Sequence, residues 1–284
     1  MLYSALIGKP VEHSVSPALF GFLAKEAGLE YGHLKIKVAS SEELTGAMRS
    51  LQILGFCGAN VTLPYKQTVI KSLDKLSPEA EKIGAVNTLL FKNGRSIGYN
   101  TDAAGALEAI EHILRPIKEN DRVLLIGAGG AARAIAYSLY HKTKHIHILN
   151  RTKSRAQDLS RHISGGRIKT DALSSDNLRL LLPQSNFIIN ATSVGMRPQE
   201  RMNLLGEQII GSLSLERKYF FDAVFNPYLT EFLQIAKQRG AKICPGMYMM
   251  IYQAIKAFKI WTGKSINPDC ADEANKILKS ILKP

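Results

Sequence analysis

The sequence predicts an α/β protein of two domains with a helical C-terminal segment. Three observations carry that reading. Short apolar stretches of strand length alternate with amphipathic stretches of helical period, the pattern of strands joined by crossover helices. One apolar stretch, 122–126, runs straight into a glycine-rich turn and then a helix. The charge is also uneven: the 284 residues carry a net +13, yet no acid occurs between Asp121 and Asp158.

In chain order, residues 2–7, 34–38 and 57–61 are expected as strands, separated by helices at 16–27 and 42–54. Strands at 85–91 and 96–99 flank Lys92-Asn93-Gly94-Arg95, whose Asn-Gly is a hairpin-turn signal. A helix starts near Asp102 and is ended by Pro116. Strand 122–126 opens a second unit, followed by a helix to residue 140 and strands at 145–149, 187–190 and 219–223. Helices at 246–261 and 268–282 close the chain. The expected domains are 1–102, 103–240 and a C-terminal helical segment, 241–284, that packs back on the first.

Composition removes several classes of function. A 45% hydrophobic, 21% charged chain can build a sizeable core. No apolar run approaches the roughly 18–20 residues that span a bilayer, so no membrane partner is expected. The N-terminal stretch lacks a basic leader and reaches Lys9-Pro10 too soon for a signal peptide. Cys57, Cys244 and Cys270 make no disulfide framework, and a cytoplasmic location follows. His141, His145 and His147 have no closed zinc spacing and no cysteine nearby, so no metal is expected. A nucleic-acid surface would need a basic stripe with exposed aromatics, whereas this charge gathers around the glycine turn. A monomer or homodimer acting on a small molecule remains.

That turn is a dinucleotide signal. Gly127 permits the tight bend, Gly129 lets the backbone approach a pyrophosphate, and the following helix offers free N–H donors and a positive dipole. Gly130 and Ala131 open the helix, and Ala132 is small enough for the position often held by a third glycine. The order strand, turn, helix makes this a Rossmann-like site. At the end of the next strand, where an NAD site usually presents an acid to the ribose, the chain has Asn150-Arg151-Thr152-Lys153-Ser154-Arg155. A carboxylate there would repel a 2′-phosphate, and Arg151 can pair with one bidentately, so NADP(H) is the expected cofactor.

Four polar segments lie in the first domain: Ser14-Val15-Ser16-Pro17, Asn60-Val61-Thr62-Leu63-Pro64-Tyr65-Lys66, Gly84-Ala85-Val86-Asn87-Thr88 and Asn100-Thr101-Asp102. Ser16 before Pro17 reads as a helix N-cap, leaving Ser14 for another task. Lys66 reads as lying at a helix start, where a cation opposes the dipole, and Asp102 as a favourable first residue of a helix.

Together these segments resemble the substrate motifs of the shikimate dehydrogenase family, in that family's order. Gly127–Ala131, Asn150–Thr152, Asn190–Met196 and Gly246–Gln253 extend the match from about residue 3 to Gly263. The resemblance implies two α/β domains and reversible, NADPH-dependent reduction of 3-dehydroshikimate to shikimate. It implies that Lys66 is the proton donor and acceptor, with Asp102 holding and polarising it. It implies substrate contacts from Ser14 and Ser16 to a carboxylate and from Thr62, Asn87, Phe225 and Gln253 elsewhere. Cofactor contacts are implied for Gly127, Ala128, Gly129, Gly130, Ala131, Asn150, Arg151, Thr152, Arg155, Thr192, Val224, Gly246 and Met249. Two departures stand out: Phe20-Gly21 replaces a common His-Asn, and Phe225 replaces a usual Tyr, removing a hydroxyl. A broader quinate/shikimate dehydrogenase would favour an acid near Arg151, and a non-catalytic nucleotide sensor would lack the Lys–Asp pair.

Overall fold

The computed structural model describes residues 1–211 and 213–282. Two compact units divide the described residues: Met1–Asp102 with residues 251–282, and Ala103–Met250. The second division falls after Met250 rather than after Gly240. The reason is a short strand, Lys242–Cys244, which pairs with Tyr219–Asp222 and belongs to the second unit's sheet.

The first unit contains β1 (Leu2–Gly8), α1 (Ser16–Glu26), β2 (Tyr31–Lys37), α2 (Leu44–Ile53), β3 (Gly58–Val61), β4 (Lys75–Leu76), α3 (Pro78–Ile83), β5 (Thr88–Lys92) and β6 (Arg95–Tyr99). Its six-stranded sheet has the order β2-β1-β3-β5-β6-β4. β1 is parallel to β2 and β3, whereas β5 is antiparallel to both β3 and β6. β2 begins at Tyr31, earlier than its apolar pattern suggests, because its ladder with β1 starts at the pair Leu2 and Tyr31. Asn93 and Gly94 both have positive φ, 52° and 71°, as a two-residue hairpin turn between β5 and β6 requires. Ser77 caps α3 by accepting from Ala80 N–H at 3.1 Å, and Gly84 ends it in the left-handed region.

Two local expectations are corrected. Ser16 is the first residue of α1 rather than its cap, and the Ser14 hydroxyl accepts from the Ser16 N–H at 3.2 Å. Lys66 lies in a turn, ahead of a short 3-10 segment at Thr68–Ser72, rather than at the start of an α-helix.

α4 (Asp102–Ile113) leads into the second unit, which contains β7 (Arg122–Ile126), α5 (Gly130–Tyr140), β8 (His145–Asn150), α6 (Lys153–Ser164), β9 (Lys169–Ala172), α7 (Ser175–Leu181), β10 (Phe187–Asn190), α8 (Glu207–Ile210), β11 (Tyr219–Asp222), α9 (Glu231–Gln238) and β12 (Lys242–Cys244). The sheet is parallel throughout, in the order β12-β11-β10-β7-β8-β9. The central strands β7 and β10 are almost entirely buried, as expected for parallel strands covered on both faces. Leu124, Ile126, Leu149, Ile188, Phe220, Phe232 and Leu233 belong to one core cluster of this unit. The strand order reverses at β7, with β8 and β9 on one side and β10 to β12 on the other.

α10 (Gly246–Thr262) holds the second division within it, and α11 (Ala271–Ile281), in the first unit, packs on α1. Trp261 donates from Nε1 to the Leu89 carbonyl at 2.8 Å. Gly58 has to be glycine because a Cβ there would strike Leu89 O and the Trp261 ring. Phe20 is fully buried, stacked on His33 with centroids 4.3 Å apart and 5.2 Å from Trp261. Burial holds the His33 imidazole low, at about 3, so it is neutral in this aromatic cluster.

Truncating Phe20→Ala should cost about 3–5 kcal/mol, since it removes a ring from a closed core. Urea unfolding followed by emission from Trp261, the single tryptophan, reads this cost. A loss below about 1 kcal/mol would show that the cluster collapses onto the gap.

Candidate active site

Sheet register assembles the first unit's polar segments. The C-terminal ends of β1, β3 and β6 and the start of β5 lie at one sheet edge, because Val61 pairs with Ile7 and Thr88 with both Asn60 and Tyr99. Val61 N–H donates to Asn87 O at 2.8 Å, and Asn87 N–H to Tyr99 O at 3.1 Å. Val86 N–H donates to Lys66 O at 2.7 Å, tying the Lys66 turn to the same edge. Gly8 allows the close approach: a Cβ there would collide with the Thr62 side chain.

At that edge Lys66 Nζ lies 2.6 Å from Asp102 Oδ2, with side-chain exposures of 17% and 5%. The Asn87 amide donates to Asp102 Oδ1 at 2.9 Å, and Thr101 Oγ1 at 2.9 Å and Gln253 Oε1 at 3.2 Å lie within reach of the same nitrogen. Asn87 Oδ1 accepts from Thr101 N–H at 2.7 Å. Asp102 is also the first residue of α4, where the helix dipole favours a carboxylate. Among the described residues Asp102 is the one partner of Lys66 Nζ, so two of the ammonium's three donors are unengaged.

Of the expected substrate residues, the structure joins Lys66, Asn87, Asp102 and Gln253 directly by hydrogen bonds. Ser14 donates to Ser16 Oγ at 3.0 Å, in the loop after β1. Thr62 follows β3 at the same sheet edge, half-buried. Phe225 belongs to the second unit, half-buried in the loop after β11. Asn60, Thr88 and Thr101, which lie in the polar segments but have no role assigned from the sequence, are all buried. Asn60 Nδ2 donates to Asn87 O and Thr88 Oγ1, each at 3.1 Å. For Asn60 and Thr88 the signal is a polar residue within a strand, where burial demands a partner.

In the second unit Gly127 has φ of 121°, and a Cβ there would lie 2.9 Å from Ala191 O. A Cβ at Gly129 would meet no protein atom within 4 Å, so its smallness serves approach from outside the protein. Gly129 caps α5 without a side chain, and no acid stands in the first turn, which leaves the helix N–H groups and dipole available to a pyrophosphate. Ala128 is buried in the turn, and Gly130 and Ala131 form the first residues of α5. At the end of β8, Asn150 Nδ2 donates to Thr152 O at 2.9 Å, and Thr152 begins α6 without using its hydroxyl as a cap. Arg151 and Arg155 are exposed and make no ion pair among the described residues. Lys153 is engaged, 2.9 Å from Asp171, which also bonds His147 at 3.0 Å. These residues fit a dinucleotide carrying a 2′-phosphate: a glycine cradle, an uncapped helix and two unengaged arginines. Thr192 follows β10, Val224 follows β11, and Gly246 and Met249 begin α10. Among the described residues no group of three His, Cys, Asp or Glu side chains could hold a metal. No described helix is long and apolar enough to cross a membrane.

Fold and sites define the class of two-domain α/β dehydrogenases. Residues 6–89 match the shikimate dehydrogenase substrate binding domain, and residues 108–202 the shikimate / quinate 5-dehydrogenase family. A shikimate dehydrogenase (NADP(+)) of Dehalococcoides mccartyi is 40% identical over 264 residues, covering 91% of this chain and 90% of that one. A shikimate dehydrogenase crystallised with NADP+ is 36% identical, with a TM-score of 0.88 over 100% of this chain and 96% of that one. The Thermus thermophilus enzyme in complex with NADP(H) and shikimate is 34% identical, with a TM-score of 0.84 over 98% and 99% of the two chains. The chain belongs to the shikimate dehydrogenase family. Within it, Phe20 is a core residue stacked on His33, so that departure changes packing rather than the polar edge.

Replacing Asn87 by Ala leaves the Thr101 N–H and Asp102 Oδ1 without their buried partner. We expect a loss of about 1–3 kcal/mol in urea unfolding, read by Trp261 emission. A loss under about 0.5 kcal/mol would mean that water satisfies both groups.

Proposed function

We propose that this chain reversibly reduces 3-dehydroshikimate to shikimate with NADPH, using Lys66 as proton donor and acceptor. The observation that carries the proposal is the 2.6 Å Lys66–Asp102 pair, set in the network of Asn87 and Gln253 at one sheet edge. NADPH supplies the hydride when bound. As the carbonyl carbon accepts it, negative charge develops on the oxygen, and a positioned ammonium both stabilises and protonates that oxygen. Lys66 has two unengaged donors for this purpose. Asp102 holds and aims the lysine, and in the oxidative direction the Lys66 nitrogen takes the hydroxyl proton. Asn87 fixes the Asp102 carboxylate through Oδ1, leaving Oδ2 for the lysine. The Asn87 and Gln253 amides and the Thr62 hydroxyl suit ring hydroxyls, and the Ser14 and Ser16 hydroxyls suit a carboxylate.

Arg151 and Arg155 at the start of α6 favour NADP over NAD, since no acid follows β8 to hold a 2′-hydroxyl. Asp171, on the neighbouring strand, is occupied by Lys153 and His147. The three cysteines are free, which suits a reducing cytoplasm.

Lys66→Ala should lower kcat by about 10²–10⁴-fold while NADPH binding, followed by its fluorescence, stays unchanged. Loss of NADPH binding would instead move Lys66 into the cofactor site. Arg151→Gln should raise KM for NADP+ by about 10–100-fold and leave KM for NAD+ nearly unaltered, because one charge-assisted contact to phosphate is lost. Equal weakening of both nucleotides would refute its phosphate role.

A further inference from the structure

Asp222 is the last residue of β11, fully buried, and none of the roles above uses it. Its carboxylate accepts from Thr230 Oγ1 at 2.6 Å and, through Oδ1, from Asn190 Nδ2 and Val224 N–H, each at 2.9 Å. Asn190 is the last residue of β10, and its Oδ1 accepts from both the N–H and the hydroxyl of Thr192, at 3.0 and 2.7 Å. The Thr192 hydroxyl in turn accepts from Val194 N–H at 3.0 Å. One carboxylate therefore sets the loops that follow two neighbouring strands. Those loops touch the rest of the site without spare room: a Cβ at Gly246 would lie 2.5 Å from Val224 O and 2.6 Å from Asp222 O. A Cβ at Gly127 would lie 3.2 Å from Thr192 Cγ2.

Topology says which half of the dinucleotide this arrangement serves. In an open parallel sheet the ligand lies across the carboxyl ends of the strands at the point where strand order reverses. That point is β7, whose turn takes the pyrophosphate. The basic residues after β8 take the adenosine side, so the redox half falls over β10, β11 and β12, where Thr192, Val224 and Gly246 stand. We propose that Asp222 is the positioning residue of the nicotinamide half: it binds no ligand itself, but holds Thr192 and Val224 where hydride transfer requires them. This inference rests on the NADP-dependent reading of the site.

Energetics support a positional role. No ion pair involves Asp222 among the described residues, and burial pushes its carboxyl up to about 7 despite three donors. A buried acid without a countercharge is a poor way to gain stability, which an apolar residue supplies more readily. Its three hydrogen bonds instead give fixed geometry to two loops.

The test uses the full chain, with shikimate and NADP+ as substrates and 2′,5′-ADP as a probe of the adenosine half. Asp222→Ala should lower kcat on the order of 100-fold and raise KM for NADP+ about tenfold, while the inhibition constant of 2′,5′-ADP and KM for shikimate change less than about threefold. Asp222→Asn keeps an oxygen for Asn190 and Val224 and offers an N–H to Thr230, so it should recover at least about tenfold of the lost turnover. Should Asp222→Ala not fold, Thr230→Val removes the Thr230 donor to Asp222 together with the α9 cap on Leu233 N–H, and we expect about a tenfold loss of kcat with 2′,5′-ADP binding intact. Unaltered kcat in Asp222→Ala or, in its absence, Thr230→Val would overturn the inference, as would joint loss of turnover and 2′,5′-ADP binding in a folded variant. No turnover of shikimate by the wild-type chain would overturn the functional reading instead, so the two failures are distinguishable.

Discussion

Everything proposed for the first unit depends on one contact, the short ion pair between Lys66 and Asp102. A buried carboxylate beside an ammonium is costly unless both of its own oxygens are satisfied. Here the Asn87 amide takes the second Asp102 oxygen, and the backbone bond from Val86 to Lys66 fixes the lysine's turn. The register of β3, β5 and β6 sets those partners. A shift of one residue along β5 would carry Asn87 off the edge and leave Asp102 with an unmatched oxygen. The pair is therefore set by the ends of β3, β5 and β6 and by the turn that the Val86–Lys66 backbone bond ties to them.

The second unit applies the same logic to a different ligand. Its parallel sheet supplies backbone donors and helix dipoles, which suit phosphates, and places its charged groups at the start of α6. Arg151 and Arg155 have no partner among the described residues, whereas Lys153 is held by Asp171. Lys142 and Lys144 of the same acid-free stretch are likewise paired, with Glu111 and Glu119.

Local signals were legible in the sequence and distant ones were not. The glycine turn announces itself because strand, turn and helix start are contiguous, and the Asn93-Gly94 hairpin because positive φ selects those residues. Lys66, Asn87 and Asp102 carry family motifs, but their chemistry becomes visible only through pairings across many residues. β9, with the sequence Lys-Thr-Asp-Ala, is a polar edge strand without apolar alternation, and only its pairing with β8 defines it. α1 begins at Ser16 itself, with Val15 at the cap position and no side-chain cap, because Pro17 tolerates either register at a helix start. Asp222 reads as an ordinary acid in sequence: its partners Asn190 and Thr230 lie 32 and 8 residues away.

The most direct measurement is a steady-state comparison of purified protein with shikimate and quinate, each against NADP+ and NAD+. The account predicts the highest kcat/KM for shikimate with NADP+, with a fall of at least about tenfold when NAD+ replaces it, as expected if the arginine contacts discriminate the 2′-phosphate. Absence of turnover with shikimate and NADP+, or a preference for NAD+, would contradict it.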